Sequence, residues 1–398
     1  MTYSVSHPAD LEALRRVLAT RPCWMGTATA RDSISLDKDT LLHAGPGLDN
    51  LEEVPSPILN SAKVAAVYEG LCDNFAAAEK QITAGKIRLM PAQDYDVVTP
   101  LAAVVSSSMH LHKVLDVGLN SGVAWAPLNG GSGVAPRLGI CSEAALSHLS
   151  WMHDSFAPIL AQKQKNEIDL IDIAQKAIQK GDDCHGRTPV GTSQLLEQLI
   201  NDGVLSKSAY ESYSFIANGP SFFLNLWMAA CKCMLNAARN INDSTLVISA
   251  GANGIKTGIQ IAASPDQWFT APASVPNGLI KGAETGLGAI GDSAIVDNMG
   301  FGAMAMPFAP EQKQLLGSFM PPNTESIGAD LLSVIDTRFN DLQLPIGLTA
   351  RACVDTGTSP VVSLGILDAK GEAGRVGGGI FTQPLALYQN AVEWLDAS

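Results

Sequence analysis

Helical spacing of apolar residues continues from Ser142 to about Asn240, and this block constrains the fold more than any other feature of the sequence. The segments on both sides of the block carry short apolar runs that are typical of strands. A chain of 398 residues also exceeds what one core usually organises. We therefore predict an α+β, multidomain protein. Its predicted parts are an N-terminal α/β domain over 1–140, a helical middle domain over 141–240 and a C-terminal mixed α+β domain over 241–398.

The same periodicities predict individual elements. Helices are expected at Pro8–Leu18, Phe75–Thr83, Leu146–Gln162, Ile168–Lys180, Thr192–Ile200, Phe222–Ala238, Ile327–Asn340 and Pro384–Leu395. Strands are expected at Thr40–His43, Lys63–Tyr68, Ile87–Met90, Thr245–Ser249, Gly258–Ala262, Leu348–Val354 and Val361–Ile366. We expect Asp10 to cap the first helix and Asn253-Gly254 to turn a hairpin. Strands that alternate with helices near the N-terminus favour some parallel pairing there.

The charge balance bears on what the chain binds. Lys and Arg number 26 against 39 Asp and Glu, which gives a formal net charge of −13. Because this charge repels phosphate backbones, we expect no nucleic-acid partner. Only 16% of the residues are charged and 46% are hydrophobic, so few charges are available to cover the surface of a monomer. We therefore expect part of the apolar surface to be buried in a homo-oligomer.

The expected cellular location rests on the lack of a recognisable signal segment and of a membrane-spanning segment in the sequence. The opening residues show no basic stretch followed by an apolar one, so no secretory signal is predicted. The most apolar run, Phe222–Leu235, is interrupted by Asn225 and Lys232 and is shorter than the roughly 20 residues that span a bilayer. The seven cysteines are scattered and form no CxxC pair. We expect reduced thiols, no membrane association and a cytoplasmic location.

The densest polar cluster lies at residues 181–187, just after a predicted helix. In such a loop His185 would serve as acid and base, with Asp182 or Asp183 fixing its tautomer. Arg187 would bind a planar carboxylate. Our assignment is His185 for proton transfer, Asp183 for its orientation and Arg187 for substrate binding. The alternative is a loop whose charges cap the next helix or cross a subunit interface.

Two further candidates are single polar residues in apolar surroundings. His43 ends a predicted buried strand and precedes Gly45-Pro46-Gly47, a position where α/β folds bind ligands. It is equally compatible with a structural turn in which the ring bonds to the backbone. Asn225 lies on an otherwise apolar helix and needs a hydrogen-bond partner if it is buried. We expect it to line the active cleft, with a tie to a neighbouring domain as the alternative.

Acidic residues and glycines in the C-terminal part supply another set of candidates. Asp292 and Ser293, with the adjoining glycines, are expected near a phosphate or an oxyanion. Asp292 and Asp297-Asn298 also carry oxygens that suit Mg²⁺ or cap a helix. The sequence predicts no definite cofactor, and Mg²⁺ is the ion that these oxygens would suit.

Glycine-rich segments and isolated arginines complete the candidates for anion binding. Residues 130–133 and 377–379, including Gly378, would present N–H groups to an anion unless they are ordinary turns. Arg351 and Arg375 are the further cationic candidates. His110 and His112 would share a strand face and permit metal binding, but no third ligand is evident and we assign no metal residue.

Several segments together resemble the AllG-like family. They occur in the family's order and cover nearly the whole chain: Leu41–Pro46, Gly181–Arg187, Phe222–Leu226, Trp268–Pro272, Gly291–Ile295 and Gly377–Gly379. The resemblance implies a subunit of oxamate carbamoyltransferase, which acts in anaerobic allantoin breakdown and converts oxalurate and phosphate to oxamate and carbamoyl phosphate. It also implies two further subunits, one of them similar to acyl-CoA synthetases, and a three-part architecture with a helical middle domain.

Carbamoyl transfer to phosphate needs cations for a small anionic metabolite, donors for an oxyanion and a group that moves a proton. The GxSxG, HExxH and GxxxxGK[ST] patterns are absent, which disfavours serine hydrolases, zincins and P-loop proteins. We therefore predict a carbamoyltransferase-like subunit. The alternatives are a non-catalytic assembly subunit of such a complex, and an amidohydrolase or transferase for another small ureido or amide acid.

Overall fold

The computed structural model describes residues 5–131, 134–163, 167–206, 209–323 and 325–397. Helices and strands occur in both halves of the chain, which confirms the predicted mixed α+β class. The helices are α1 Pro8–Ala19, α2 Ala30–Ile34, α3 Ser56–Tyr68, α4 Phe75–Thr83, α5 Glu143–Ser150, α6 Ala157–Lys163, α7 Leu170–Gln179, α8 Pro189–Asn201, α9 Tyr210–Ala217, α10 Phe222–Asn236, α11 Ala294–Met299, α12 Pro310–Leu316, α13 Ile327–Leu331, α14 Ala350–Thr356 and α15 Ala386–Asp396. The strands are β1 Pro22–Thr29, β2 Thr40–His43, β3 Arg88–Pro91, β4 His110–Asp116, β5 Val123–Pro127, β6 Ile168–Asp169, β7 Val247–Asn253, β8 Lys256–Ile261, β9 Ser264–Pro272, β10 Asn277–Ile280, β11 Ile290–Gly291, β12 Leu332–Ile335, β13 Pro345–Leu348, β14 Val361–Leu367 and β15 Arg375–Thr382.

The strands of the described ranges are distributed over several small sheets. One antiparallel sheet has the order β5-β4-β1-β6, and a second has the order β11-β7-β8-β9. A third sheet, β10-β15-β14, is also antiparallel. Strands β2 and β3 pair in parallel, so the parallel pairing predicted near the N-terminus is confirmed for this pair. The hairpin predicted at Asn253-Gly254 is confirmed between β7 and β8.

Helix α10 is the centre of the largest core. It is buried on all sides, as expected for a helix that is apolar around its whole circumference. Trp227 contacts Phe301 edge to face, with ring centroids 4.9 Å apart. The same core contains Trp24 from β1 and Leu195 from α8. Helices of the predicted middle domain therefore share one core with N-terminal strands, and the domain boundaries at 140 and 240 remain a prediction.

Three predicted elements differ from the structure. Lys63–Tyr68, expected as a strand, is the second half of α3, because Ile58, Ala62 and Ala65 form a buried face at helical spacing. A short apolar run does not distinguish a buried strand from a buried helix.

The other two differences lie near the C-terminus. The strand predicted at Leu348–Val354 ends at Leu348, and α14 follows because the Thr349 hydroxyl accepts a hydrogen bond from the Ala352 N–H and caps that helix. The helix predicted at Ile327–Asn340 is interrupted after Leu331 by β12.

Asp10 has a different role from the predicted helix cap. Its carboxylate is buried and accepts hydrogen bonds from the Ser244 hydroxyl at 2.9 Å and the Thr245 N–H at 2.6 Å. Arg351, a candidate for anion binding, pairs with the same carboxylate at 3.1 Å. These contacts attach α1 to the C-terminal half of the chain.

Two further observations concern the state of the cysteine thiols and the possibility of a membrane-spanning helix. All seven cysteines are free, and Cys184 is buried against the helical core. None of the helices within the described ranges has the length and apolar character needed to cross a membrane.

Candidate functional site

A cavity of about 660 Å³ lies between residues of the predicted helical region 141–240 and the sheet β10-β15-β14. One wall is formed by His185 and the start of α10, including Asn225. The opposite wall is formed by β14 and β15, including Arg375 and Gly378. Ser293 also lines the cavity. Four of the predicted site residues, which are His185, Asn225, Ser293 and Gly378, are therefore brought together here.

Two arginines line the cavity without a carboxylate partner. Neither Arg137 nor Arg375 forms an ion pair with an acidic residue in the described parts of the chain. Nη2 of Arg137 donates to the Gly131 carbonyl at 3.0 Å, and Nε of Arg375 donates to the Gly377 carbonyl at 2.9 Å. These contacts fix the guanidinium groups but leave their positive charges uncompensated.

The surroundings of the two arginines disfavour their charged forms. Burial and the nearby charge of Arg375 lower the pKa of Arg137 to about 10. Nearby protein atoms also lower the pKa of Arg375, although this residue is exposed to solvent. A position on the wall of an open cavity accounts for both observations. A bound anion would relieve this electrostatic cost.

Glycines provide the space for Arg375. A Cβ atom on Gly378 would lie 3.1 Å from Nη2 of Arg375, and one on Gly365 would lie 3.2 Å from its Nε. Gly365 and Gly378 are register partners in the pairing of β14 with β15. The structure thus corrects the prediction of an anion-binding turn at 377–379, because these residues are the interior of a strand with partners on both sides.

His185 forms a close pair with an aspartate far away in sequence. Its Nδ1 lies 2.5 Å from Oδ2 of Asp297, which is fully buried. Oδ1 of Asp297 accepts hydrogen bonds from the N–H groups of Ala303 at 2.7 Å and Ser363 at 3.2 Å. Burial lowers the pKa of the imidazole, but the charge and hydrogen bond of Asp297, together with the charge of Asp183, outweigh burial and raise it above its usual value.

Gly302 makes the close approach of His185 and Asp297 possible. It has a φ of +57°, and a Cβ atom there would lie 2.4 Å from Oδ1 of Asp297 and 2.9 Å from Cβ of His185. Its N–H donates to the Asp183 carbonyl at 2.7 Å, which joins the loop at 181–187 to the segment after α11. A side chain at this position would separate the two partners.

The structure corrects the role predicted for Asp183. Its Oδ1 accepts hydrogen bonds from the backbone N–H groups of His185 and Arg187, both at 2.8 Å. Asp183 therefore holds the bend of the loop, while Asp297 contacts the imidazole. Burial raises the pKa of Asp183 to about 6. Asp182 is also outside the cavity wall, and it accepts a hydrogen bond from the Gly191 N–H in the first turn of α8.

Arg187 is likewise absent from the cavity wall. Its Nη2 pairs with Glu311 at 2.8 Å, and its Nε lies 3.8 Å from Asp182. The two sequence interpretations of the loop thus apply to different residues. His185 reaches the cavity, whereas Asp182, Asp183 and Arg187 hold the loop and the start of α8.

His43 and Asp292 are buried outside the cavity wall. Nδ1 of His43 contacts the Ala44 carbonyl at 2.8 Å, and burial lowers the pKa of the ring to about 4. The Asp292 carboxylate accepts hydrogen bonds from the Gly45 N–H, the Gln93 side chain and Thr99, at 2.8–3.0 Å. Both residues were expected in the pocket. Asp292 instead joins N-terminal and C-terminal segments, and the His43 ring bonds to the backbone of the adjacent residue.

Asn225 supports the cavity wall that carries Arg137. Its Nδ2 donates to the carbonyl groups of Asn129 at 2.9 Å and Phe222 at 3.1 Å. The bond to Asn129 ties α10 to the segment that precedes Arg137. Asn225 thus lines the cavity and joins α10 to the segment before Arg137, while its role in an active cleft stays a prediction. Ser132 and Gly133, which belong to the first predicted glycine turn, lie outside the described residues.

Metal binding receives no support from the geometry of the described residues. They contain no group of three or more His, Cys, Asp or Glu side chains that could hold a metal ion. The oxygens of Asp292 and Asp297, considered for Mg²⁺, accept hydrogen bonds from protein groups. His112 lies between the rings of Trp24 and Phe222.

Sequence reasoning missed Arg137, Lys281 and the role of Asp297. Arg137 and Lys281 both line the cavity. A lone arginine that follows the glycine-rich residues 129–133 is a signal for Arg137. Nothing local distinguishes Asp297 from a helix-capping residue, because its partner is 112 positions away.

The fold and cavity define a mixed α+β protein with a cavity that carries cationic side chains. Residues 87–293 match the family described as oxamate carbamoyltransferase subunit AllG, and the chain belongs to this family. It is 29% identical to the oxamate carbamoyltransferase subunit AllG of Escherichia coli K12, over 99% of this chain and 97% of that protein. It is also 29% identical to the uncharacterized protein YahG of the same strain, over 96% of this chain and 84% of that protein. A crystal structure of a conserved protein of unknown function from Enterococcus faecalis V583 superposes with a TM-score of 0.90 at 26% identity, covering 98% of this chain and 97% of the other.

Proposed function

We propose that this chain is a subunit of an oxamate carbamoyltransferase-like enzyme and that its cavity binds the anionic carbamoyl donor and phosphate. The observation that carries the proposal is the pair Arg137 and Arg375, two cations on one cavity without an acidic partner among the described residues. Arg137 is partly buried, and an uncompensated charge there is costly unless a ligand supplies the opposite charge. Arg375 is exposed and adds a second positive charge to the same cavity. Family membership supports the reaction class that we propose for this site.

The chemistry of the reaction suits the cavity. Oxalurate and phosphate are both anions, and a guanidinium binds a carboxylate or a phosphate through two parallel hydrogen bonds. A phosphate oxygen attacks the carbamoyl carbon, a new C–O bond forms, and the bond from that carbon to the oxamate nitrogen breaks. The tetrahedral intermediate carries negative charge on oxygen, which the guanidinium groups would stabilise. Lys281 adds a third cation to the wall.

Partner subunits are part of the proposal. The curated Escherichia coli relative is named as a subunit, and exposed apolar side chains surround the cavity mouth of this chain. Leu279 and Leu315, which line the cavity, retain 62% and 66% of their surface exposed. Such side chains are suited to burial under another subunit. We propose a homo-oligomer that works with two further subunits, located in the cytoplasm, where the free thiols would stay reduced.

A specific observation favours a second candidate, an enzyme for another small ureido or amide acid. Part of the cavity wall is apolar and contains Leu315, Leu316 and Phe319. A substrate with an apolar substituent would contact this part, whereas oxalurate has none. Binding measurements with oxalurate and with ureido acids that carry apolar groups distinguish the two candidates.

The test is carbamoyl phosphate formation from oxalurate and phosphate by the reconstituted complex. Arg137→Gln and Arg375→Gln remove one charge each, and we expect KM for an anionic substrate to rise about 10-fold or more in each, from the loss of charged hydrogen bonds worth about 1.5–3 kcal/mol. Arg88→Gln is the matched control, because Arg88 pairs with Asp37 and Asp39 on the surface. Unchanged kinetics in both cavity variants would contradict the proposal. A complex that keeps its turnover without this chain would show a role outside catalysis.

A further inference from the structure

We propose that His185 carries the proton during carbamoyl transfer through its Nε2 atom, and that Asp297 is the positioning residue that orients the imidazole. This inference rests on the proposed function and assigns atoms and a partner within the same site. The pair is formed by residues from two distant segments, the loop after α7 and helix α11. Within the described ranges, neither His185 nor Asp297 forms an ion pair with an exposed side chain.

The hydrogen bond to Asp297 decides which ring nitrogen is free. Burial raises the pKa of Asp297, while the charge and hydrogen bond of His185 favour the ionised carboxylate. Because an ionised carboxylate only accepts hydrogen bonds, we assign a proton to Nδ1 of His185, which lies 2.5 Å from Oδ2. In the neutral imidazole Nε2 then has a lone pair and accepts a proton. His185 lines the cavity and its Nδ1 is engaged by Asp297, so we assign Nε2 as the nitrogen available to a ligand.

Asp297 is held rigidly enough to orient the ring. It is fully buried, and its second oxygen is fixed by the N–H groups of Ala303 and Ser363. Ser363 lies on β14, the strand that pairs with the strand of Arg375. The same carboxylate therefore connects the proton carrier to the sheet that holds a cation of the cavity. A buried aspartate behind a histidine also stabilises the imidazolium form.

The charged and titratable groups around the ring come from four directions. Asp297 on α11 and Asp183 on the loop favour the protonated imidazole, and Arg375 on β15 opposes it. Cys231 on α10 faces Asp297 and is a buried thiol whose pKa is raised well above its usual value, so it stays neutral. Asp183 reaches only the backbone N–H of His185, which leaves Asp297 as the partner of the ring.

The proposed step conserves protons. Neutral His185 takes the proton of monohydrogen phosphate at Nε2 while the phosphate oxygen attacks the carbamoyl carbon. The imidazolium then gives that proton to the amide nitrogen as the C–N bond breaks, so oxamate leaves as a neutral amide. One proton thus moves from phosphate to oxamate, and His185 returns to its initial form. No oxidant, reductant or additional reactant is required.

The experiment combines a spectroscopic titration of the full chain with kinetics of the complex. The chain is labelled with ¹⁵N-histidine, and long-range ¹H–¹⁵N spectra report the tautomer and pKa of each ring. His185→Gln assigns the signal among the seven histidines. We expect the neutral ring to carry its proton on Nδ1 and to titrate above about 6.5, the usual value for histidine. Asp297→Asn should lower this pKa by at least one unit and move the acidic limb of kcat/KM in the same direction.

Asp183→Asn is the control variant, because Asp183 bonds to the backbone N–H of His185. Asp183→Asn retains an oxygen for the backbone N–H groups and should leave the ring proton on Nδ1. Turnover should fall at least about 100-fold in His185→Gln and in Asp297→Asn. The inference is overturned if the ring proton is on Nε2, if the pKa is unchanged in Asp297→Asn, or if both variants turn over like the wild type. If one of these results is found and Arg137→Gln and Arg375→Gln still raise KM, the inference about His185 fails but the proposed function stands. If the two arginine variants have wild-type kinetics, the proposed function itself is contradicted.

Discussion

Asp292 lies just before helix α11 and Asp297 lies within it, and both are fully buried, yet their surroundings differ. All the hydrogen bonds that Asp292 accepts come from groups that join packed segments, such as Gly45 and Thr99. Asp297 uses one oxygen in that way and gives the other to His185, a residue of the cavity wall. The comparison teaches that the role of a buried carboxylate depends on whether its partner reaches a cavity.

The largest expected effect is a difference in kcat between variants of the two aspartates. Asp297→Asn should lower kcat of the complex by a factor of about 10³, because the imidazole loses its charged partner. Asp292→Asn should keep wild-type kcat for each correctly folded chain, because Asp292 does not line the cavity. The measurement is kcat at saturating oxalurate and phosphate, normalised to the folded fraction from circular dichroism. Equal losses in the two variants would remove the distinction.

The next largest effect is on the free energy of unfolding, which we expect to fall in Asp292→Asn. In Asp292→Asn, an amide NH₂ would face N–H or O–H donors that now bond to a carboxylate oxygen. We expect a loss of about 3 kcal/mol in the free energy of unfolding, from donors left without an acceptor. Urea unfolding of the full chain measures it, and Asp172→Asn, in a surface pair with Lys176, is the control. A loss below that of the control would show that the Asp292 contacts do not stabilise the fold.

A smaller effect concerns pH. The pKa of His185 is raised in the folded chain, so its contribution to stability is complete below the unfolded value of about 6.5 and is lost as pH rises through the folded pKa. In Asp297→Asn, burial remains and the carboxylate is gone, so the pKa should fall below 6.5 and the contribution should change sign. The difference in free energy of unfolding between wild type and Asp297→Asn should therefore grow as pH is lowered from 8 to 6. A difference that is constant over this range would contradict the coupling.

The smallest effect is expected at Arg187. Arg187 pairs with the exposed Glu311 and lies 3.8 Å from the buried Asp182, outside the cavity wall. Arg187→Ala should therefore leave KM for oxalurate within about threefold of wild type. The same kinetic assay as for Arg375→Gln measures it. An increase in KM as large as that of Arg375→Gln would restore Arg187 as a substrate-binding residue.

The sequence predicted those parts of the fold whose signals are local. Phe75–Thr83 and Thr40–His43 are found with the predicted bounds because apolar spacing and flanking residues define them. The segment Lys63–Tyr68 was predicted wrongly because a run of small apolar residues fits a buried strand and a buried helix equally well. Only the tertiary packing around α3 decides between them.

The candidate site was predictable where a charge cluster marks it and hidden where distant segments complete it. His185 stands out within residues 181–187. Its partner Asp297 is 112 residues away, and Arg137 and Arg375 come from opposite ends of the chain. Residues 377–379 look like a turn, yet they form a strand whose missing side chains leave space for a guanidinium. Such long-range arrangements depend on the sheet register, which no local pattern encodes.

The central claim is that two uncompensated arginines make this cavity an anion site. The most direct test is isothermal titration of the full chain with oxalurate at low ionic strength, comparing wild type with the Arg137→Gln/Arg375→Gln double variant. Wild type should bind with an affinity that falls as salt is added, and the double variant should bind at least about 100-fold more weakly, from the loss of two charged contacts. Equal affinities in the two proteins would contradict the account.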